Sequence, residues 1–326
     1  MSAQHRIGVD LGGTKIEAVV VHLPAPASPA APAEFAKPTE LARVRVPTNR
    51  TLGYEHVLAE ARGLVIEVAK QAGIDPIATP IGVGMPGSVT RRRPDGTRSD
   101  VALVKNSNTT CLNGRPFHAD LEKAVGRPIS FANDANCFAL AEATWGAARG
   151  ARVTFGVIMG TGVGGGVVIA NDAGVPRAWD GAQGIAGEWG HVVLDPVSGP
   201  ECYCGKRGCI ETYLGGPFFE AAYAARAGVT RKLTEIAERA ASGEDAVARE
   251  LVAERVDLFG RALATVINIL DPDVVVLGGG VSNVAALYDD GVDAVARWIF
   301  NDEVATKIVK HELGDSAGVL GAALLP

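Results

Sequence analysis

The sequence has no basic excess, no apolar leader and no run that reads as a membrane helix. Its 326 residues carry 31 Lys and Arg against 37 Asp and Glu, a formal net charge of −6. The electrostatic footprint of nonspecific nucleic-acid binding is therefore missing. Met1–Arg6 runs straight into Ile7-Gly8-Val9-Asp10 without the apolar core of a secretory signal. One stretch, Val153–Asn171, lacks charge for 19 residues, but it holds six glycines and two threonines. That composition suits two strands about a glycine turn better than a spanning helix. A cytoplasmic protein with no nucleic-acid or membrane partner is expected. Hydrophobic residues at 47% and charged residues at 21% exclude a disordered chain. The 40 glycines show no three-residue period, which excludes a collagen-like one.

Cysteine is scarce and unevenly placed. Of five, Cys202, Cys204 and Cys209 fall within eight residues, while Cys111 and Cys137 stand alone. Without a secretory signal, such a cluster points to a metal site rather than a disulfide framework.

Two β-rich runs, 6–10 and 15–22, flank Leu11-Gly12-Gly13-Thr14 as a hairpin. A Pro/Ala-rich connector spans 23–38, and a third strand at 41–46 is expected to pair back. Helical periodicity over 54–72 closes at Gly73, and a short apolar strand at 81–85 ends in Pro86-Gly87. The segment 91–98 (RRRPDGTR) reads as a basic turn, a solvated loop before a phosphate site. Beyond Pro128 the pattern repeats in outline, with a strand at 129–132, a helix at 135–148 and two strands about the glycine cluster. Helices at 218–227 and 245–270, a strand at 274–277 and a closing helix at 316–325 complete the chain. Strands interleaved with helices in both halves predict two similar α/β lobes hinged near 115–130.

Four motifs carry chemistry. In Asp10-Leu11-Gly12-Gly13-Thr14-Lys15 an acidic residue ends an apolar strand, and two glycines let backbone N–H groups approach an anion. This spacing is neither a Walker A loop nor a dinucleotide-binding fingerprint, so a plain hairpin turn stands beside a phosphate site. Gly160-Thr161-Gly162-Val163-Gly164-Gly165-Gly166 repeats the logic, and two such turns suit one polyphosphate. Asn133-Asp134, where a strand hands over to a helix, is either an N-cap or a carboxylate taking a proton from a hydroxyl nucleophile. His191 of Gly187-Glu188-Trp189-Gly190-His191 joins Cys202, Cys204 and Cys209 in a Cys3His set suited to a closed, structural Zn²⁺. Gly205 and Gly208 allow the turn that brings Cys204 and Cys209 together, and the metal fixes the loop presenting Glu188 and Glu211.

Taken in order, DLGGTK at 10–15, GMPG at 84–87, NDAN at 133–136, GTGVGGG at 160–166, GEWGH at 187–191, CYCGKRGCIE at 202–211 and DPDVVVLGGGVSN at 271–283 resemble the ROK family (repressors, open reading frames and sugar kinases). KNSNTTCLNGRPF at 105–117 and GEWGH are most similar to its bacterial fructokinase/mannokinase branch, and NDANCFALAEA and GTGVGGG also resemble the N-acetylglucosamine kinase branch. The resemblance implies an α/β fold of two actin-like (ribonuclease H-like) lobes, mixed sheets flanked by helices, about a cleft. Residues 1–118 would form the N-terminal lobe, with a helix at about 311–326 packing back on it, and 119–310 the C-terminal lobe carrying the zinc loop. ATP and Mg²⁺ would be used, with Asp134 as general base. Asn108, Asn133, Glu188, His191 and Glu211 would hold sugar hydroxyls, His191 binding zinc through its other ring nitrogen. Gly12, Gly13, Thr14 and Lys15 with Gly160, Thr161, Gly162, Gly164, Gly165 and Gly166 would cradle phosphates. Asp10 would hold Mg²⁺, and Gly278, Gly279 and Gly280 would flank adenosine.

The implied activity is phosphorylation of a hexose by ATP, fructose to fructose 6-phosphate first, with mannose or glucose also possible, by a homodimer. N-acetylglucosamine kinase or glucokinase is the alternative. A sugar-responsive regulator of this family carries an N-terminal helix-turn-helix, for which a first strand at residue 6 leaves no room. Eighteen of the 40 glycines, Gly84, Gly87, Gly318 and Gly321 among them, are thereby assigned to nucleotide, sugar and zinc turns.

Overall fold

The computed structural model describes residues 4–24, 37–93 and 95–326. Most of the connector expected at 23–38 lies outside the described residues. Strands β1 (Gln4–Leu11), β2 (Lys15–Leu23) and β3 (Thr39–Pro47) form an antiparallel meander. Helix α1 (Tyr54–Ala72) ends at Gly73 in the left-handed conformation, as the sequence predicts. Then follow β4 (Ile81–Met85), the hairpin β5 (Ser88–Arg92) and β6 (Arg98–Lys105), α2 (Phe117–Val125), β7 (Ser130–Asn133) and α3 (Asp134–Trp145). Next come β8 (Val153–Met159), β9 (Val163–Ala170), β10 (Pro176–Ala178), α4 (Glu211–Leu214), α5 (Gly216–Ala227), α6 (Leu233–Ser242) and α7 (Ala246–Leu270). Strand β11 (Val274–Gly278), α8 (Asp290–Ala296), β12 (Lys307–Lys310) and α9 (Ala317–Ala323) complete the chain.

Two five-stranded sheets share one plan. The first has the order β3-β2-β1-β4-β7 and the second β10-β9-β8-β11-β12. In the first, β1 pairs parallel with β4 and β4 with β7; in the second, β8 pairs parallel with β11 and β11 with β12. The compact units are Met1–Gly150 with Gly166–Ala186 and Leu313–Pro326, and Ala151–Gly165 with Gly187–Glu312. The division falls at Gly150/Ala151, away from the expected 118/119 and the expected hinge at 115–130. The reason is packing: Phe117 and Leu121 of α2 are buried in the first core, and β7 pairs with β4.

In the first unit the period-2 alternation of strands explains the layers. Ile7, Val9, Leu11, Ile16, Ala18, Val20, Ile81, Val83 and Met85 face one core with α1 and α2. Val19 and Val21 face the other way, onto Val319 and Ala323 of α9. On that second face β1 and β4 carry Gly8, Gly82 and Gly84. A Cβ at Gly8 or Gly82 would run into the α9 backbone at Val319 or Ala322, and one at Gly84 into Cys137 Sγ of α3. Gly321 of α9 lies equally close to the Cys137 backbone. Gly84 and Gly321 are therefore packing glycines, which corrects their assignment to ligand turns.

The second unit is organised by α7. Asp245 caps it by accepting from Ala248 N at 3.0 Å. The buried positions Ala248, Leu251, Val252, Arg255, Val256, Phe259 and Leu263 recur at helical spacing. The described residues of the basic segment, 91–93 and 95–98, are exposed at the β5/β6 hairpin, where Arg92 pairs with Arg98. Among the described residues no helix is long and apolar enough to cross a membrane.

Candidate functional site

In the first unit, Asp10 near the end of β1 lies on the Gly8 face, beside the start of α9; a Cβ at Gly318 would stand 3.1 Å from its Oδ2. Burial first, then the Asp134 carboxylate, push the Asp10 carboxyl up to about 7, against the pull of Lys15. At the β7–α3 junction the two readings of Asn133-Asp134 divide between the residues. Asn133 is the cap: its Oδ1 accepts from Ala135 N at 2.8 Å, and its Nδ2 donates to Gly87 O at 3.0 Å. Asp134 is the first helical residue, its Oδ1 accepting from Ala135 N at 2.9 Å. Burial raises its carboxyl above the usual 3.8, partly countered by that N–H.

Gly12–Lys15 is a closed turn, with Gly12 N donating to Lys15 O at 2.9 Å. It is braced from the end of β3, Thr48 Oγ1 donating to Gly12 O at 2.7 Å. Asn108 projects from the loop after β6, and a Cβ at Gly13 would lie 3.2 Å from its Oδ1. That loop is clamped reciprocally: Ser107 N donates to Asn113 Oδ1 and Asn113 Nδ2 to Ser107 O, both at 2.9 Å. Arg50 also reaches this turn, its Nη1 donating to Asn108 O at 2.6 Å. Sequence reasoning missed Arg50, because an isolated arginine after a strand carries no motif. A cavity of about 220 Å³ opens beside Asn133, bounded by Ser88, Asp180 and His118. His118 stacks on Phe131 at 3.8 Å, and burial pushes its ring down to about 4.

In the second unit the glycine cluster is only partly a turn. Gly160, Thr161 and Gly162 lie between β8 and β9, whereas Gly164, Gly165 and Gly166 are strand residues. The structure gives the reason. A Cβ at Gly165 would meet Phe155 and the Trp189 ring, and one at Gly166, which groups with the first unit, the backbone of Ala135. Glu211, expected among the sugar ligands, is buried and accepts from Val163 N at 3.0 Å, holding the Gly162 turn. Trp189 donates from Nε1 to Gly164 O at 3.0 Å and so fixes Glu188 and His191 beside it. Gly280 lines a cavity of about 630 Å³ with Asn283 and Val284, faced by Leu233 and Ala237 of α6. Gly279 has φ of 80° and packs on Met159; its carbonyl accepts from Ser282 Oγ at 2.6 Å.

The ligating atoms of His191, Cys202, Cys204 and Cys209 all lie within 4.8 Å of one another. His191 Nδ1 is 3.6 Å from Cys202 Sγ, and Cys204 Sγ is 3.7 Å from Cys209 Sγ. Ligands held about 2.3 Å from a tetrahedral zinc stand about 3.8 Å apart, so the donor set fits that ion in chemistry and spacing. The loop is shaped by Cys202 N donating to Lys206 O at 2.9 Å and by Gly208, at φ of 68° against the Asp195 backbone. Tyr203, between two of the cysteines, was also missed: its OH lies 3.0 Å from His191 Nε2.

Two sheets of one plan, each opening on a strand, a glycine turn and a second strand, define an actin-like α/β protein. The chain belongs to the ROK family, whose profile matches residues 6–326. It is 34% identical to the N-acetyl-D-glucosamine kinase of Vibrio vulnificus (strain YJ016) over 329 residues, 98% of each chain. It is 35% identical to the enzyme of the same name from Photobacterium profundum, again over 98% of each. Among solved structures it is similar to the ROK hexokinase of Thermus thermophilus, with a TM-score of 0.78, 33% identity and 98% and 97% of the two chains covered. The ROK glucokinase of Streptomyces griseus, solved with glucose and AMPPNP, matches with a TM-score of 0.73 and 27% identity over 98% and 99%.

Proposed function

We propose that the chain is an ATP-dependent sugar kinase whose acceptor is N-acetyl-D-glucosamine ahead of fructose. The observation that carries the chemistry is Asp134, a carboxylate at a strand–helix junction whose proton affinity is raised by burial. A base must hold the proton it removes, and a raised pKa serves that end near neutral pH. Asp134 takes the proton of the attacking sugar hydroxyl, while Asn133 keeps the helix start in place. Asn108, Asn133, Glu188 and His191 bind sugar hydroxyls. Glu211 acts on the turn it braces.

Phosphoryl transfer asks mainly for positioning and charge stabilisation. The Gly12–Lys15 and Gly160–Gly162 turns hold phosphate oxygens. The cavity beside Gly280 takes the adenosine, its volume lying within the roughly 300–1,000 Å³ of small-molecule sites. Asp10 suits Mg²⁺, since a half-buried carboxyl already opposed by a neighbouring carboxylate gains from a cation. Mg²⁺ supplies charge neutralisation on the phosphates, and Zn²⁺ on the Cys3His set supplies a structural tie.

The ranking of acceptors rests on the relatives. Fructose is favoured by two short segments, 105–117 and 187–191, whereas whole-length relatives at 34–35% identity are N-acetyl-D-glucosamine kinases. The test is ADP release with N-acetyl-D-glucosamine, fructose, glucose and mannose, with the phosphate position read by NMR. The highest kcat/KM is expected for N-acetyl-D-glucosamine. Turnover of fructose without it reverses the ranking, and no turnover on any sugar ends the kinase reading.

A further inference from the structure

We propose that the Tyr203 hydroxyl occupies, at His191 Nε2, the place of a sugar hydroxyl, and that the acceptor sugar displaces it on binding. Tyr203 thereby sets sugar affinity. This rests on the sugar-kinase reading above and deepens it. His191 has two ring nitrogens, and Nδ1 faces the thiols, 3.6 Å from Cys202 Sγ. Nε2 is the atom left for substrate, and it already has a partner in the Tyr203 hydroxyl at 3.0 Å. A phenol O–H, like a sugar hydroxyl, both donates and accepts, so the two compete for one position.

The side chain is built to leave. Tyr203 is 67% exposed, although its ring meets the His191 ring edge-on at 84° with centroids 5.2 Å apart. Its backbone is tied on both sides, by Cys202 N to Lys206 O and Gly205 N to Cys202 O. Rotation of one side chain about its own bonds therefore exposes Nε2 without disturbing the cysteines. A hydrogen bond of this kind contributes a net two- to tenfold, roughly, to the competition.

The experiment compares wild type with Tyr203→Phe, which keeps the ring and removes the hydroxyl. N-acetyl-D-glucosamine should bind the variant about three- to tenfold more tightly by calorimetry, with KM lowered, kcat not raised and zinc content unchanged. In the wild type, saturating sugar should speed nitration of Tyr203 by tetranitromethane, read by peptide mass spectrometry; this needs no variant and stands if Tyr203→Phe fails to fold. Weaker sugar binding by the variant overturns the proposal, because it makes the phenol a direct sugar ligand. Unchanged affinity, or unchanged nitration, overturns it as well. In these three cases the wild type still phosphorylates sugar and the kinase reading stands. A wild type that binds none of the four sugars overturns both.

Discussion

Asp134→Asn separates chemistry from stability. The substitution preserves shape and keeps an oxygen to accept from Ala135 N, a bond now 2.9 Å long. What it removes is the ionisable proton site. A positioned general base contributes about 10²- to 10⁴-fold, so kcat should fall by two to four orders of magnitude while sugar affinity changes little. Stability should move the other way. Burial raises the folded-state carboxyl above 3.8, so between 3.8 and that raised value the folded protein binds more protons than the unfolded chain. Wild-type stability therefore falls as pH rises through this window, and above it the folded state carries the full cost of a buried charge. The amide has no such term. Urea unfolding should find Asp134→Asn more stable than wild type at pH 8, with the difference shrinking towards pH 4. Coupled ADP release on the same samples supplies the rate. Turnover within tenfold of wild type refutes the base, and a variant less stable at pH 8 refutes the electrostatic argument even if activity is lost.

Two further perturbations probe the Cys3His loop and the packing of α9. Cys204→Ser should abolish a zinc content of about one equivalent per chain, measured by elemental analysis; zinc held a thousandfold above its dissociation constant stabilises by about 4 kcal/mol, which the variant loses. Equal metal content and equal melting temperature would show the four donors to be incidental. Gly321→Ala places a Cβ into the Cys137 backbone between α9 and α3. Overpacking of about 3 kcal/mol, offset by about 1 kcal/mol of helix propensity, leaves a net loss of roughly 2 kcal/mol in urea unfolding. A neutral or stabilising effect would mean that the two helices part readily.

Much of the frame was legible because local pattern and tertiary role coincide. Helix α1 is bounded as its periodicity and Gly73 imply, and β4 and the helix begun by Asn133-Asp134 sit where their apolar runs place them. Helices α2, α6 and α8 and strand β12 were not read, since each is ten residues or shorter and has no motif at its ends. Their positions are settled by burial of a few side chains, such as Phe117 and Leu121, that sequence alone does not rank. The metal donors were legible because Cys and His at such spacing have few other uses. Tyr203 was not, for the converse reason: in Cys-x-Cys the middle residue is read as a spacer, and only the 3.0 Å contact to His191 gives it a task.

Glycine shows why chemistry and packing are hard to separate in this chain. Gly160 and Gly280 are open positions where a Cβ would meet nothing within 4 Å. Gly8, Gly82, Gly84 and Gly321 are the opposite, sites where backbone or thiol already fills the space. In Ile7-Gly8-Val9-Asp10 and Ile81-Gly82-Val83-Gly84 the glycines alternate with core residues, so they share one face of the sheet, and Asp10 lies on that face. The absent side chains let α9 and α3 close against the strands, and Gly318 at the start of α9 lies against the Asp10 carboxylate. Loss of solvent is the first cause that raises the carboxyls of both Asp10 and Asp134. Glycines that bind nothing thus help to set the surroundings of Asp10, the carboxylate proposed to hold Mg²⁺.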